Sequence, residues 1–182
     1  MSSRGAYGFY KDGVSKLTYN HSNSYPSGLG DNIVSFLKDS DVNELNNIFN
    51  DIQLVNELDY PKEEEEKKIK ELGYSINYRG KKENWFGILA SSLGDINVYK
   101  EGLTFMLDYN DFILDGLHCE WAYVINLDEN CLEIYKGLCD VIGVGRYADG
   151  LNDGSRFGCT LIKSINLDSI SNIDSLEKYL NS

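Results

Sequence analysis

Two stretches alternate in the manner of paired strands, one over 6–20 (AYGFYKDGVSKLTYN) and one over 120–139 (EWAYVINLDENCLEIYKGLC). In the first, Tyr7, Phe9, Leu17 and Tyr19 alternate with smaller or polar residues, and Asp12-Gly13 supplies the positive φ of a tight turn. In the second, WAYVINL and CLEIYKG flank the turn DEN. Two hairpins this far apart must share a sheet or build separate ones, and helical spacing fills the interval. Apolar residues recur at helical intervals over 29–38, 41–51, 83–93 and 95–107. The segment 61–73 (PKEEEEKKIKELG) has acids early, lysines late and a closing glycine, the grammar of a solvated helix. Its pairs Glu63–Lys67, Glu64–Lys68 and Glu66–Lys70 stand at i,i+4 in the favourable order. A further strand is predicted over 159–167 and a short helix over 173–180. The expectation is a single α+β domain over 1–182, with an antiparallel sheet of about five strands and four to six helices packed on it.

A chain of 182 residues with 42% apolar content can bury a core without metals or disulfides. Cys119, Cys131, Cys139 and Cys159 fall at irregular spacings with no CxxC, so free thiols are predicted and neither a metal nor a cofactor. No run of eighteen apolar residues is present, and the opening residues lack the apolar stretch of a signal peptide. These features predict a protein of the bacterial host cytosol without a membrane partner.

The net charge of −12 is unevenly spread. Residues 1–38 balance at +2, residues 39–60 hold six acids and no base, residues 61–82 return to +2, and residues 83–182 carry −10. An acidic body repels nucleic acid, whose affinity comes mainly from Lys and Arg on phosphates. It suits a basic protein surface, because complementary fields speed and orient association. Asp39, Asp41, Glu44 and Asp51 are the candidate partner-binding acids.

The opening carries a resemblance. Ser3-Arg4-Gly5-Ala6-Tyr7-Gly8-Phe9, Asp12-Gly13, Tyr19-Asn20-His21, Ser24-Tyr25-Pro26 and Gly30 resemble a family of small uncharacterised phage and prophage proteins. In that family an N-terminal Ser/Thr-Arg-Gly strand precedes a Tyr-Asn-His and Tyr-Pro loop. Members carry an Asp two residues after the His, where this chain has Asn23. The resemblance implies a mobile-element origin and, with the acidic body, an accessory protein that disables a host antiviral-defence protein by occluding it.

Two other readings stay open. A small-ligand module that sequesters or hydrolyses a nucleotide-like signal would use Arg4, His21, Tyr25, Arg146 and Arg156. The last two sit in a glycine-rich loop whose backbone N–H groups suit an anion. An N-terminal-nucleophile amidohydrolase would use Ser2 after removal of Met1, its α-amine acting as base for its own hydroxyl.

Overall fold

The computed structural model describes residues 3–138, 143–151 and 157–182. The chain is α+β. Its strands are β1 (Gly5–Lys11), β2 (Val14–Asn20), β3 (Gln53–Val55), β4 (Asn77–Tyr78), β5 (Lys81–Lys82), β6 (Phe105–Leu107), β7 (Trp121–Asn126), β8 (Cys131–Lys136) and β9 (Thr160–Asn166). Its α-helices are α1 (Asp31–Lys38), α2 (Val42–Asp51), α3 (Glu63–Glu71), α4 (Trp85–Leu89), α5 (Asn97–Lys100) and α6 (Leu176–Leu180).

The main sheet runs β2-β1-β7-β8-β9. Both predicted hairpins form with local, antiparallel pairing. Asp12 and Gly13 have φ of 49° and 77°, the mirror-image turn that suits the twist of two flanking strands. The Asp12 N–H donates to the Asp128 carboxylate at 2.9 Å, tying the tip of one hairpin to the tip of the other. The β1–β7 pairing is parallel, with Gly5 opposite Trp121 and Tyr10 opposite Asn126. A parallel pair needs a long crossover, and residues 21–120 supply it, carrying α1 to α5 onto one face of the sheet. The other three pairings are antiparallel. The parallel step sets the start of β1 beside the start of β7, and the Glu120 N–H donates to the Arg4 carbonyl at 2.9 Å.

Alternation divides the sheet into two faces. Tyr7, Phe9, Tyr123, Ile125, Leu132 and Ile134 point into the larger core, against α1, α2 and α4 through residues such as Phe36, Leu45 and Trp85. The opposite face holds a smaller core: Ala6, Leu17, Ala122, Val124 and Tyr135, with Ile113, Cys119, Tyr147 and Cys159 laid over them. A single-turn 3₁₀ segment, Asn110–Leu114, helps to cover this face. It is clamped to the β2 edge: the Tyr109 N–H donates to the Leu17 carbonyl at 3.0 Å, and the Leu17 N–H donates to Asn110 Oδ1 at 2.8 Å.

The helix predicted over 95–107 is not continuous. Only α5 forms, and Gly102 at φ 105° ends it. Residues 105–107 then extend as β6 and pair in parallel with β3. The predicted helix over 61–73 becomes α3, where the Glu65 carboxylate accepts from the Lys62 N–H at 2.7 Å. The Tyr74 and Gly73 N–H groups close it on the Ile69 and Lys70 carbonyls at 3.1 and 2.9 Å, a Schellman end. Among the described residues only one of its three expected pairs forms, Glu66 with Lys70 at 3.9 Å. Glu66 also takes Lys82 from outside the helix, and that lysine pulls its carboxyl below the usual range. No helix among the described residues is long and apolar enough to cross a membrane.

Candidate functional site

One end of the smaller face gathers two of the predicted ligand residues. By strand alternation Arg4, Tyr19 and His21 share that face, at the start of β1 and the end of β2. The Tyr19 hydroxyl lies 2.9 Å from His21 Nδ1, and the Arg4 charge acts on the same phenol. Burial pushes the Tyr19 phenol above its ordinary value, while the Arg4 charge works the other way. Arg4 and His21 are exposed and Tyr19 is half-buried, so the cluster forms a rim with a tyrosine at its base.

Tyr19 also packs against two aromatic rings. Its ring stands 5.0 Å from Phe112, edge to face, and 5.5 Å from Tyr109. Both aromatics line an open groove of about 730 Å³ with Glu57, Asp108, Asp111 and Asp115, within the range of small-molecule sites. The Tyr109 hydroxyl donates to the Glu57 carboxylate. Burial first, and then that hydrogen bond, raises the Tyr109 phenol. His118 Nδ1 pairs with Asp115 Oδ2 at 2.8 Å on the adjoining loop. The alternation of β2 signalled the face of Tyr19. Nothing in the local sequence signalled Tyr109, Phe112 or Glu57, which arrive through the clamped 3₁₀ segment and the chain after β3.

The other predicted ligand residues are placed differently. Tyr25 is half-buried, and its carbonyl accepts the Gly28 and Gly30 N–H groups in the π-turn Pro26–Gly30. That turn leads toward the larger core, where the Tyr123 hydroxyl donates to the Ser24 carbonyl at 2.9 Å. Arg146 is on the smaller face but at its far end, stacked on Tyr10 with its guanidinium 3.5 Å from the ring centre. Tyr10 is six residues along β1 from Arg4, roughly 20 Å in extended chain. Arg146 is bound internally: Nη1 and Nη2 donate to the two oxygens of Glu133 at 2.8 and 3.2 Å. Tyr135 and Asn126 also donate to that carboxylate, at 2.8 and 2.7 Å. Arg146 is therefore a staple holding the 143–151 segment on the sheet, and the expected pairing with Arg4 and His21 in one pocket does not form. Arg156 and Ser2 lie outside the described residues, as does Cys139.

A second feature lies across the molecule. Asp41, Glu44 and Asp51 line one side of an open groove of about 580 Å³ between α2 and residues 99–104. Asp39 stands at its margin, where its carbonyl accepts from Lys100 Nζ at 2.7 Å. Lys100 also lies 3.7 Å from Glu44. Asp41 has a structural duty as the cap of α2, accepting from the Glu44 N–H at 2.9 Å. Lys16 near Asp51 is occupied by the carbonyls of Phe49 and Ile52, each at 2.6 Å, and burial pulls its ammonium below the ordinary value. Three acids thus line the groove, with Lys100 beside Glu44 and Lys16 near Asp51.

Cys119, Cys131 and Cys159 are free and buried. Burial pushes the Cys131 thiol up to about 11, which keeps it protonated and unreactive. Among the described residues no group of three or more His, Cys, Asp and Glu side chains could hold a metal ion. No family description, curated protein or solved structure matches this chain.

Proposed function

We propose that the chain acts by binding: an acidic accessory protein of phage or prophage origin that disables a host antiviral-defence protein by covering a basic surface. One observation carries the reading. Asp41, Glu44 and Asp51, three of the four acids singled out by charge distribution alone, line one groove together with Lys100, whose ammonium also reaches the Asp39 carbonyl. A partner's Lys and Arg side chains would meet this row of carboxylates, speeding association and fixing its register. The resemblance of residues 3–30 supports the origin. The test is capture of a partner from host bacterial lysate, followed by affinity measurements on the captured protein. The variant combines Asp39→Lys, Glu44→Lys and Asp51→Lys with Asp41→Asn, which preserves the helix cap. Affinity should fall by at least about tenfold in that variant and again as salt rises. Affinity indifferent to both changes would sink the proposal.

A second reading, a module that binds a small nucleotide-like ligand, is favoured by a different observation: the Arg4–Tyr19–His21 rim beside an aromatic groove.

A further inference from the structure

We infer that the β4–β5 hairpin is a docking finger for a carboxylate-rich segment of a partner protein, with Arg79 as its clamp. This contact is separate from the acidic groove, which meets charge of the opposite sign. Residues 77–82 are all exposed. The base of the hairpin is nevertheless fixed. The Glu83 N–H donates to the carbonyl of buried Ile76 at 2.8 Å, and Ser75 Oγ donates to the Asn77 carbonyl at 2.8 Å. Tyr78 pairs with Lys81 and Asn77 with Lys82, so alternation puts each pair on its own face. Lys82 is tied down, to the Glu66 carboxylate and to the Pro61 carbonyl. Tyr78 and Lys81 belong to the opposite face, turned away from that anchor.

Arg79 stands at the tip. With Gly80 it makes a mirror-image turn, at φ of 50° and 78°, where asparagine, aspartate and glycine are favoured over arginine. Asp12-Gly13 in the first hairpin keeps to that preference. A residue held in an unfavoured conformation points to a task for its side chain. The guanidinium stacks on Tyr78, 5.1 Å from the ring centre. Arg146 on Tyr10 is the same pairing, and there the guanidinium grips both oxygens of Glu133. Among the described residues no carboxylate forms an ion pair with Arg79 or Lys81. A stacked, pre-oriented fork beside an ammonium and an exposed phenol ring suits a pair of carboxylates. Nucleic acid is the poorer fit. Its affinity grows with the number of phosphates neutralised, and this face offers two cations, close to Glu83 and the glutamates of α3.

The test follows the full chain, labelled with nitrogen-15, by NMR, with a hexaglutamate peptide and a hexathymidine oligonucleotide as probes. Hexaglutamate at millimolar concentration should shift the amide signals of 77–82 and bind more tightly than the oligonucleotide. Arg79→Asn, which suits the turn, should weaken the peptide by on the order of tenfold, the worth of a charge-assisted hydrogen bond. Arg79→Lys keeps the charge but loses the fork, and should weaken it by a smaller factor. The Arg79→Asn chain should resist denaturant at least as well as the unchanged chain, which separates a lost contact from a lost hairpin. Peptide binding that ignores both substitutions, or shifts confined to the lysines of α3, would overturn the finger. Tighter binding of the oligonucleotide would overturn it in favour of a phosphate contact. Absence of any shift with hexaglutamate would overturn it outright. None of these outcomes touches the acidic groove, whose test changes other residues.

Discussion

The two ends of the smaller sheet face use arginine in opposite ways. At the far end, Arg146 meets a nearly buried carboxylate, and every strong group there is satisfied from within: Glu133 takes Arg146, Tyr135 and Asn126. Tyr147, 5.2 Å from Tyr135, lies 2.8 Å from Ser15 Oγ through its hydroxyl. At the near end, Arg4 meets a tyrosine and faces outward beside a histidine. The first arrangement stabilises and the second presents. An arginine in a polar loop is not evidence of a ligand until its carboxylate has been sought, and here Glu133 sits 13 residues away on β8.

The contrast breaks most visibly at the closed end. Glu133→Ala strands a partly buried guanidinium, and removing one member of such a pair costs about 3–5 kcal/mol when burial is complete. Arg146 keeps 29% side-chain exposure, so the lower end of that range is expected, about 3 kcal/mol in denaturant unfolding. A loss under about 1 kcal/mol, the scale of a surface pair, would show that the network holds little of the fold.

Alkaline pH should strike the closed end next. Burial, and then Glu133, raises the Tyr135 phenol, and burial raises Tyr147. Tyr7 and Tyr123 in the larger core are raised by burial as well. Each folded phenol holds its proton at a pH where the unfolded one has lost it. Unfolding therefore releases protons above the ordinary value of 10.0, and stability declines as pH rises beyond it. Below that pH these groups contribute no slope. Denaturation midpoints measured across the alkaline range should fall, and tyrosinate absorbance should rise as the chain unfolds. A flat midpoint above pH 10 would contradict the burial of these hydroxyls.

The smallest effect belongs to the open end. Arg4→Ala should change unfolding stability by no more than about 0.5 kcal/mol, as for surface substitutions generally. A loss approaching that of Glu133→Ala would make Arg4 a second staple and erase the distinction between the two ends.

Much of the secondary structure was legible because it is local. The turn at Asp12-Gly13, the second hairpin, the cap at Asp41 and the Schellman end at Gly73 depend on residues within a few positions of one another. The region 95–107 misled because an apolar run suits a buried strand as well as a helix. The pairing of β6 with β3, some fifty residues earlier, decided between them. At the site, alternation along β2 placed Tyr19 and His21 on one face, whereas Tyr109, Phe112 and Glu57 reached them only through tertiary clamps.

By itself the sequence determined the hairpins, most of the helices, the α+β class and the acidic bias along α2. Only the tertiary structure decided that β1 and β7 run parallel, which sets Arg4 beside Glu120 rather than beside the 127–130 turn. It also decided that Arg146 serves Glu133 while Arg4 faces solvent. The reason is range: turns, caps and alternation follow from neighbours along the chain. Strand order and charge partners follow from how a hundred-residue crossover folds back on the sheet, and no short window of residues encodes that.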